Sequence, residues 1–117
     1  MEVREWRVLK LAELAESDAK EFRVGNGEWP FRGIVVRWQG LVHAYANSCA
    51  HLGYPLNIDP DKFFTADGHS LLCTAHGAVF EPATGLCTGG PCAGASLRRL
   101  ESRVADGWVF VSAPDSL

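Results

Sequence analysis

The stretch Gly33-Ile34-Val35-Val36-Arg37-Trp38-Gln39-Gly40-Leu41-Val42-His43-Ala44-Tyr45 decides the fold class. Two runs rich in β-branched and aromatic residues flank a Gln-Gly pair, the pattern of two antiparallel strands joined by a tight turn. Upstream, Glu21-Phe22-Arg23-Val24 alternates as a strand, and Trp6-Arg7-Val8-Leu9 begins another. Between them, residues 11–20 have helical composition but are too few for more than a turn or two of helix. Downstream, Phe63-Phe64-Thr65 and Ser70-Leu71-Leu72 lie either side of Asp67-Gly68, which predicts a second hairpin. Asp106-Gly107 turns the chain into a closing strand through Trp108-Val109-Phe110-Val111. Short strands with turn residues at close intervals predict an all-β fold, a small antiparallel β-sandwich or barrel.

The chain has 117 residues and 12.7 kDa, the size of one domain over residues 1–117. Hydrophobic residues make up 47% and charged residues 21%, which excludes a disordered chain. Eleven Lys+Arg against 14 Asp+Glu leave a net charge of −3, so neither a nucleic acid nor an anionic membrane is an expected partner. No apolar run approaches the roughly 20 residues of a bilayer span. Met1-Glu2-Val3-Arg4-Glu5-Trp6 has no basic, apolar leader character, and a cytoplasmic location is expected. In a reducing compartment, clustered cysteine and histidine point to metal ligation or redox chemistry.

Two segments concentrate those residues: Cys49-Ala50-His51-Leu52-Gly53-Tyr54-Pro55 and Cys73-Thr74-Ala75-His76-Gly77-Ala78. Each follows a predicted strand and offers one thiolate and one imidazole. Two Cys and two His can make a zinc site, but structural zinc spacing pairs Cys with Cys and His with His. Here each segment mixes the two. A two-iron centre removes the difficulty, with Cys49 and Cys73 on one iron and His51 and His76 on the other.

Cys-x-His followed by Cys-x-x-His-Gly resembles the Rieske [2Fe–2S] family. The flanking residues share the resemblance: Ser48 before the first motif, Ala78-Val79-Phe80 after the second, then Thr84-Gly85 and Gly90-Pro91. It runs from about residue 35 to 111. It implies a cluster-binding β subdomain at about residues 46–93, with two ligand loops and a third, proline-containing loop near Gly89-Gly90-Pro91. It also implies one [2Fe–2S] cluster per chain held by Cys49, His51, Cys73 and His76. Gly53 and Gly77 would let backbone N–H groups approach cluster sulfides. Leu52 and Tyr54 would shield the metal, Pro55 and Pro91 would stiffen their loops, and the histidine edges would serve as docking points. His43 and His69 read as a strand residue and a turn residue.

Departures from the family sharpen the reading. High-potential members carry a cysteine pair across the cluster, a serine after His-Gly and a tyrosine two residues on. The matching places here hold Tyr54 and Ala75, Ala78, and Phe80. Fewer hydrogen bonds to sulfur favour a low potential. The 52–72 spacer is longer than in small Rieske ferredoxins. Cys87 and Cys92 sit in the presumed third loop and read as reduced thiols rather than a disulfide. The resemblance implies a non-enzymatic electron carrier between a flavin- or NAD(P)H-dependent ferredoxin reductase and a terminal oxygenase or reductase, notably a ring-hydroxylating dioxygenase. Two alternatives are the small subunit of an assimilatory nitrite reductase and a zinc-binding interaction module. Glu28, Asp59, Asp61, Asp67 and Glu81 read as solvated charges before they read as a docking patch, and Arg98, Arg99 and Arg103 as plain surface.

Overall fold

The continuous apolar runs Ile34-Val35-Val36 and Ala44-Tyr45-Ala46 build a sheet that is buried on both faces. The computed structural model describes residues 3–25, 30–48, 63–73, 77–90 and 93–114. Ten strands run in order: β1 (Val3–Lys10), β2 (Asp18–Val24), β3 (Phe31–Trp38), β4 (Leu41–Ala46), β5 (Leu71–Leu72), β6 (Val79–Phe80), β7 (Cys87–Gly89), β8 (Arg99–Leu100), β9 (Ser102–Ala105) and β10 (Trp108–Pro114). They form three antiparallel sheets, ordered β1-β10-β9, β2-β3-β4-β8 and β5-β6-β7. Among the described residues, no helix is long and apolar enough to cross a membrane.

The hairpin expected at Gln39-Gly40 is present, with Trp38 opposite Leu41. Both turn residues have positive φ, 52° and 78°, the conformation whose twist matches the flanking strands. Asp106-Gly107 repeats it between β9 and β10, at 53° and 79°. The Asp67-Gly68 hairpin is also present: Thr65 N–H donates to Ser70 O, and Leu72 N–H to Phe63 O. The helical expectation reduces to one 3-10 turn, Leu11–Glu13, because β2 already begins at Asp18. Ala19 is buried on one face of β2 and Phe22 and Val24 on the other, and that burial favours the extended conformation over local helix propensity.

Strand registry sorts the core into two layers. Ala19, Ile34, Val36 and Tyr45 share one face of the four-stranded sheet and pack with Phe63, Leu71, Cys73, Ala78, Phe80 and Cys87 of the third sheet and its loops. Phe22, Val35, Ala44 and Ala46 share the opposite face and pack with Leu9, Val109, Val111 and Ala113 of the first sheet. The four-stranded sheet is therefore the middle layer. The pairing of β1 with β10 ties the two ends of the chain together, from Val3 opposite Pro114 to Lys10 opposite Trp108, with an irregularity between Arg7 and Leu9. Trp6 Nε1 adds a bond to Ala113 O at 3.0 Å. Arg103 is at the surface as expected, and its guanidinium binds Glu5 at 2.6 and 2.7 Å across this sheet.

Gly33 shows how tightly the inner layer is fitted. It lies opposite Phe22, whose ring covers the glycine so closely that a Cβ there would fall 2.3 Å from the ring tip. Phe22 is buried and has little room to withdraw. Gly33→Ala is expected to destabilise the chain by about 1–3 kcal/mol, as overpacking does. A shift of the urea midpoint at unchanged slope measures it; an unchanged midpoint would show that the ring swings away freely.

Candidate metal centre

Strand β5 ends directly at Cys73, and the middle sheet and β6 keep that thiol fully buried. The stretch from Cys73 to Ala78 is closed by its own backbone. Cys73 N–H donates to Ala78 O at 2.8 Å, and Gly77 N–H donates to Cys73 O at 2.8 Å. Gly77 has φ 72°, a conformation that costs a side-chain-bearing residue energy, so glycine suits this closure. Ala78 is fully buried behind it. Cys49, His51, Leu52, Gly53, Tyr54, His76 and Pro91 lie outside the described residues, as do Pro55, Ala75, Cys92, Glu28, Asp59 and Asp61.

The root of the first ligand segment is anchored from below. Asn47, two residues before Cys49, is buried; its backbone N–H donates to Arg32 O at 3.0 Å. Its side-chain amide donates to Glu21 Oε2 at 2.5 Å. The same carboxylate oxygen takes Arg32 Nε at 2.8 Å and Nη2 at 2.6 Å. The guanidinium holds the Glu21 carboxylate in one orientation, which gives the Asn47 amide a fixed acceptor.

The segment expected to form a third loop comes back against the second. Gly90, with φ 88°, follows β7, and a Cβ on it would lie 2.8 Å from Ala78 Cα and 3.0 Å from Gly77 O. The base of this loop is closed by Cys87 N–H to Ala95 O at 2.7 Å and Gly94 N–H to Cys87 O at 3.0 Å. Cys87 is buried, and its Sγ lies 3.1 Å from Gly89 O, within hydrogen-bond range for sulfur.

A second group of residues fastens this end to the middle sheet. The Tyr45 hydroxyl donates to Pro82 O at 2.7 Å, and burial pushes its pKa up to about 12. Gly85, with φ 77°, sits against the same ring; a Cβ would fall 2.8 Å from it. Arg99, read from sequence as surface, donates to Ala83 O at 2.9 Å and contacts His43 at 2.9 Å. Arg99 is exposed, as read from sequence, but β8 pairs with β4 and so sets it opposite Tyr45, within reach of these partners. His43 is a strand residue as expected, and it is buried. His69 occupies the Asp67-Gly68 hairpin, exposed, with its backbone N–H bonded to the Asp67 carboxylate.

A buried thiol at the mouth of a backbone-closed loop, with a second loop pressed on it, suits a soft metal centre shielded from water. The Rieske [2Fe-2S] domain model matches residues 5–105. The chain belongs to the Rieske family. Its cofactor is a [2Fe–2S] cluster, and the buried Cys73 with the Gly77-Ala78 and Gly90 backbones fits that group. Among solved structures, the chain is similar to the ferredoxin of carbazole 1,9a-dioxygenase from Nocardioides aromaticivorans IC177. The identity is 25%, with 92% of this chain and 95% of that one covered and a TM-score of 0.70. A chain in a complex of reduced oxygenase and oxidized ferredoxin in carbazole 1,9a-dioxygenase matches at 24% identity, covering 97% and 96%, with a TM-score of 0.69. The terminal oxygenase of carbazole 1,9a-dioxygenase from Novosphingobium sp. KA1 matches at 24% identity, covering 92% of this chain but 29% of that one, with a TM-score of 0.70. No curated protein is significantly similar in sequence.

Gly90 offers a direct check on the contact between the two loops of this Rieske centre. Gly90→Ala adds a Cβ where backbone already stands, at a φ that strains alanine by about 1–3 kcal/mol. The variant is expected to lose iron faster than the parent at equal temperature, followed by the decay of visible absorbance. An unchanged rate would show that the Gly90 contact does not guard the cluster.

Proposed function

We propose that the chain is a low-potential Rieske electron carrier, taking one electron at a time from a flavin- or NAD(P)H-dependent ferredoxin reductase and delivering it to a terminal oxygenase of the ring-hydroxylating kind. The observation that carries this reading is the nearly end-to-end match with a ferredoxin of an aromatic-ring dioxygenase, 92% of one chain against 95% of the other. The match with a terminal oxygenase, by contrast, covers 29% of that protein. On this reading the chain transforms no organic substrate. It forms one domain over residues 1–117, with the cluster-binding part at about 46–93, and works in the cytoplasm beside its reductase. The match to a dioxygenase ferredoxin favours this assignment over a nitrite reductase subunit, and the family's cluster favours it over a zinc module.

Cys49 and Cys73 are assigned to one iron, and His51 and His76 to the other. When bound, such a cluster supplies a reversible one-electron couple. The protein's own part is to hold the ligands in one geometry, keep water from the sulfurs and set the potential. Position 78 is a buried alanine and position 80 a buried phenylalanine, so neither side chain brings a hydroxyl to sulfur. Hydrogen bonds to sulfur stabilise the reduced, more negative cluster, and their loss lowers the potential.

The expected midpoint potential lies toward roughly −150 mV, the low end of the Rieske range. Ala78→Ser is expected to raise it, read by voltammetry of the holoprotein. A parent potential in the positive range would contradict the low-potential assignment. The partner assignment is read separately, by stopped-flow mixing of the reduced protein with a Rieske terminal oxygenase. It predicts one electron delivered per chain, and no transfer to any such oxygenase would refute it.

A further inference from the structure

Among the described residues, one buried side-chain polar atom has no hydrogen-bond partner: Nε2 of His43, whose residue is 7% exposed. The other ring nitrogen, Nδ1, lies 2.9 Å from Arg99 Nη2. A guanidinium only donates, so Nδ1 accepts, and the ring is neutral with its proton on Nε2. Arg99 reaches further with its second terminal nitrogen. Nη1 donates to Ala83 O at 2.9 Å and lies 3.4 Å from the Tyr45 hydroxyl, which itself donates to Pro82 O at 2.7 Å. Two consecutive carbonyls of the 82–85 turn are thus gripped from β4 and β8. That turn joins β6, which runs on from Ala78, to β7, which runs on to Gly90.

We propose that His43 is a positioning residue for the cluster: its neutral ring holds Arg99 on the 82–85 turn, and its protonation releases that turn and with it the two segments that flank the metal. The inference rests on the Rieske reading of the Cys73 and Gly90 segments. Protonation removes the acceptor at Nδ1 and sets a second cation against the guanidinium. Bound to Ala83 and turned away from His43, Arg99 loses the contact that orients its fork.

The other charged groups do not substitute for this contact. Tyr45, on the same strand, stays neutral, with its pKa pushed up to about 12. Glu81, before the turn, acts on Tyr45 by charge alone. Glu21 of β2 faces the same way, opposite Ile34, and is engaged by Arg32 and Asn47. Burial first, and then the charge of Arg99, lower the pKa of His43 from 6.5. The sign follows. A ring that prefers to be neutral when folded contributes its full stability above about 6.5, and that contribution is lost as pH falls through the lowered folded-state value.

The test uses the holoprotein, with iron and sulfide assayed at about pH 7.5, and compares it with about pH 5.5, an interval that spans histidine titration. Two rates are followed: bleaching of the cluster, and hydrogen exchange of the Gly85 and Leu86 amides corrected for intrinsic pH dependence. In the parent both are expected to rise roughly tenfold at the lower pH, as when a charged hydrogen bond is lost. His43→Gln keeps a carbonyl acceptor for Arg99 but does not titrate. It is expected to match the parent at the higher pH and to lose most of the acceleration. Tyr45→Phe removes the Pro82 bond and is expected to speed both rates at both pH values while keeping the acceleration. No acceleration in the parent, or equal acceleration in His43→Gln, overturns the proposal. A parent without iron and sulfide refutes the Rieske reading instead, and the amide exchange still reports on the clamp.

Discussion

A soft, redox-active metal centre needs cysteine sulfur held dry and still, and here that requirement is met by backbone pressed against backbone. Gly90 stands so close to Gly77 and Ala78 that no side chain fits between them, and the Cys73–Ala78 stretch is already closed by its own amide bonds. Peptide groups that are hydrogen-bonded and packed this closely have little freedom to move as charge changes at a neighbouring metal. A loop held by side chains alone would move more. The positive φ values at Gly77 and Gly90 are the local cost of that closeness, and glycine keeps it small.

The middle sheet makes such rigidity possible at a distance. One of its faces packs on the β1-β10-β9 sheet, and the other carries Tyr45, His43 and Arg99 toward the cluster-bearing end. The two candidate ligand segments are rooted in different ways. Asn47 ties the first to the Glu21–Arg32 ion pair, while β5 delivers Cys73 from a buried strand. Asn47 and Cys73 both rest on the β2-β3-β4 layer, whose registry is fixed by burial on its two faces.

The elements legible in the sequence were those with strong local signals. Gln39-Gly40 and Asp106-Gly107 announce their turns because positive φ at consecutive positions selects few residue types. Cys73, Gly77 and Ala78 stood out by motif spacing, and the family that this spacing resembled is the one whose model matches residues 5–105. The β1–β10 pairing was not legible, since no local pattern says which edge receives the first strand. Arg99 was missed for a similar reason. A two-residue strand such as β8 carries no periodicity, and only its pairing with β4 brings the guanidinium to His43 and Tyr45. Polar clamps between layers arise from topology, and a linear reading sees only an arginine.

The central claim is that two cysteines and two histidines of this chain hold a two-iron cluster. Electron paramagnetic resonance of anaerobically purified, dithionite-reduced protein tests it most directly, with iron and sulfide assayed on the same sample. A rhombic signal is expected, with a mean g value below that of an all-cysteine cluster, and about two irons and two sulfides per chain. A silent sample containing about one zinc and no sulfide would contradict it.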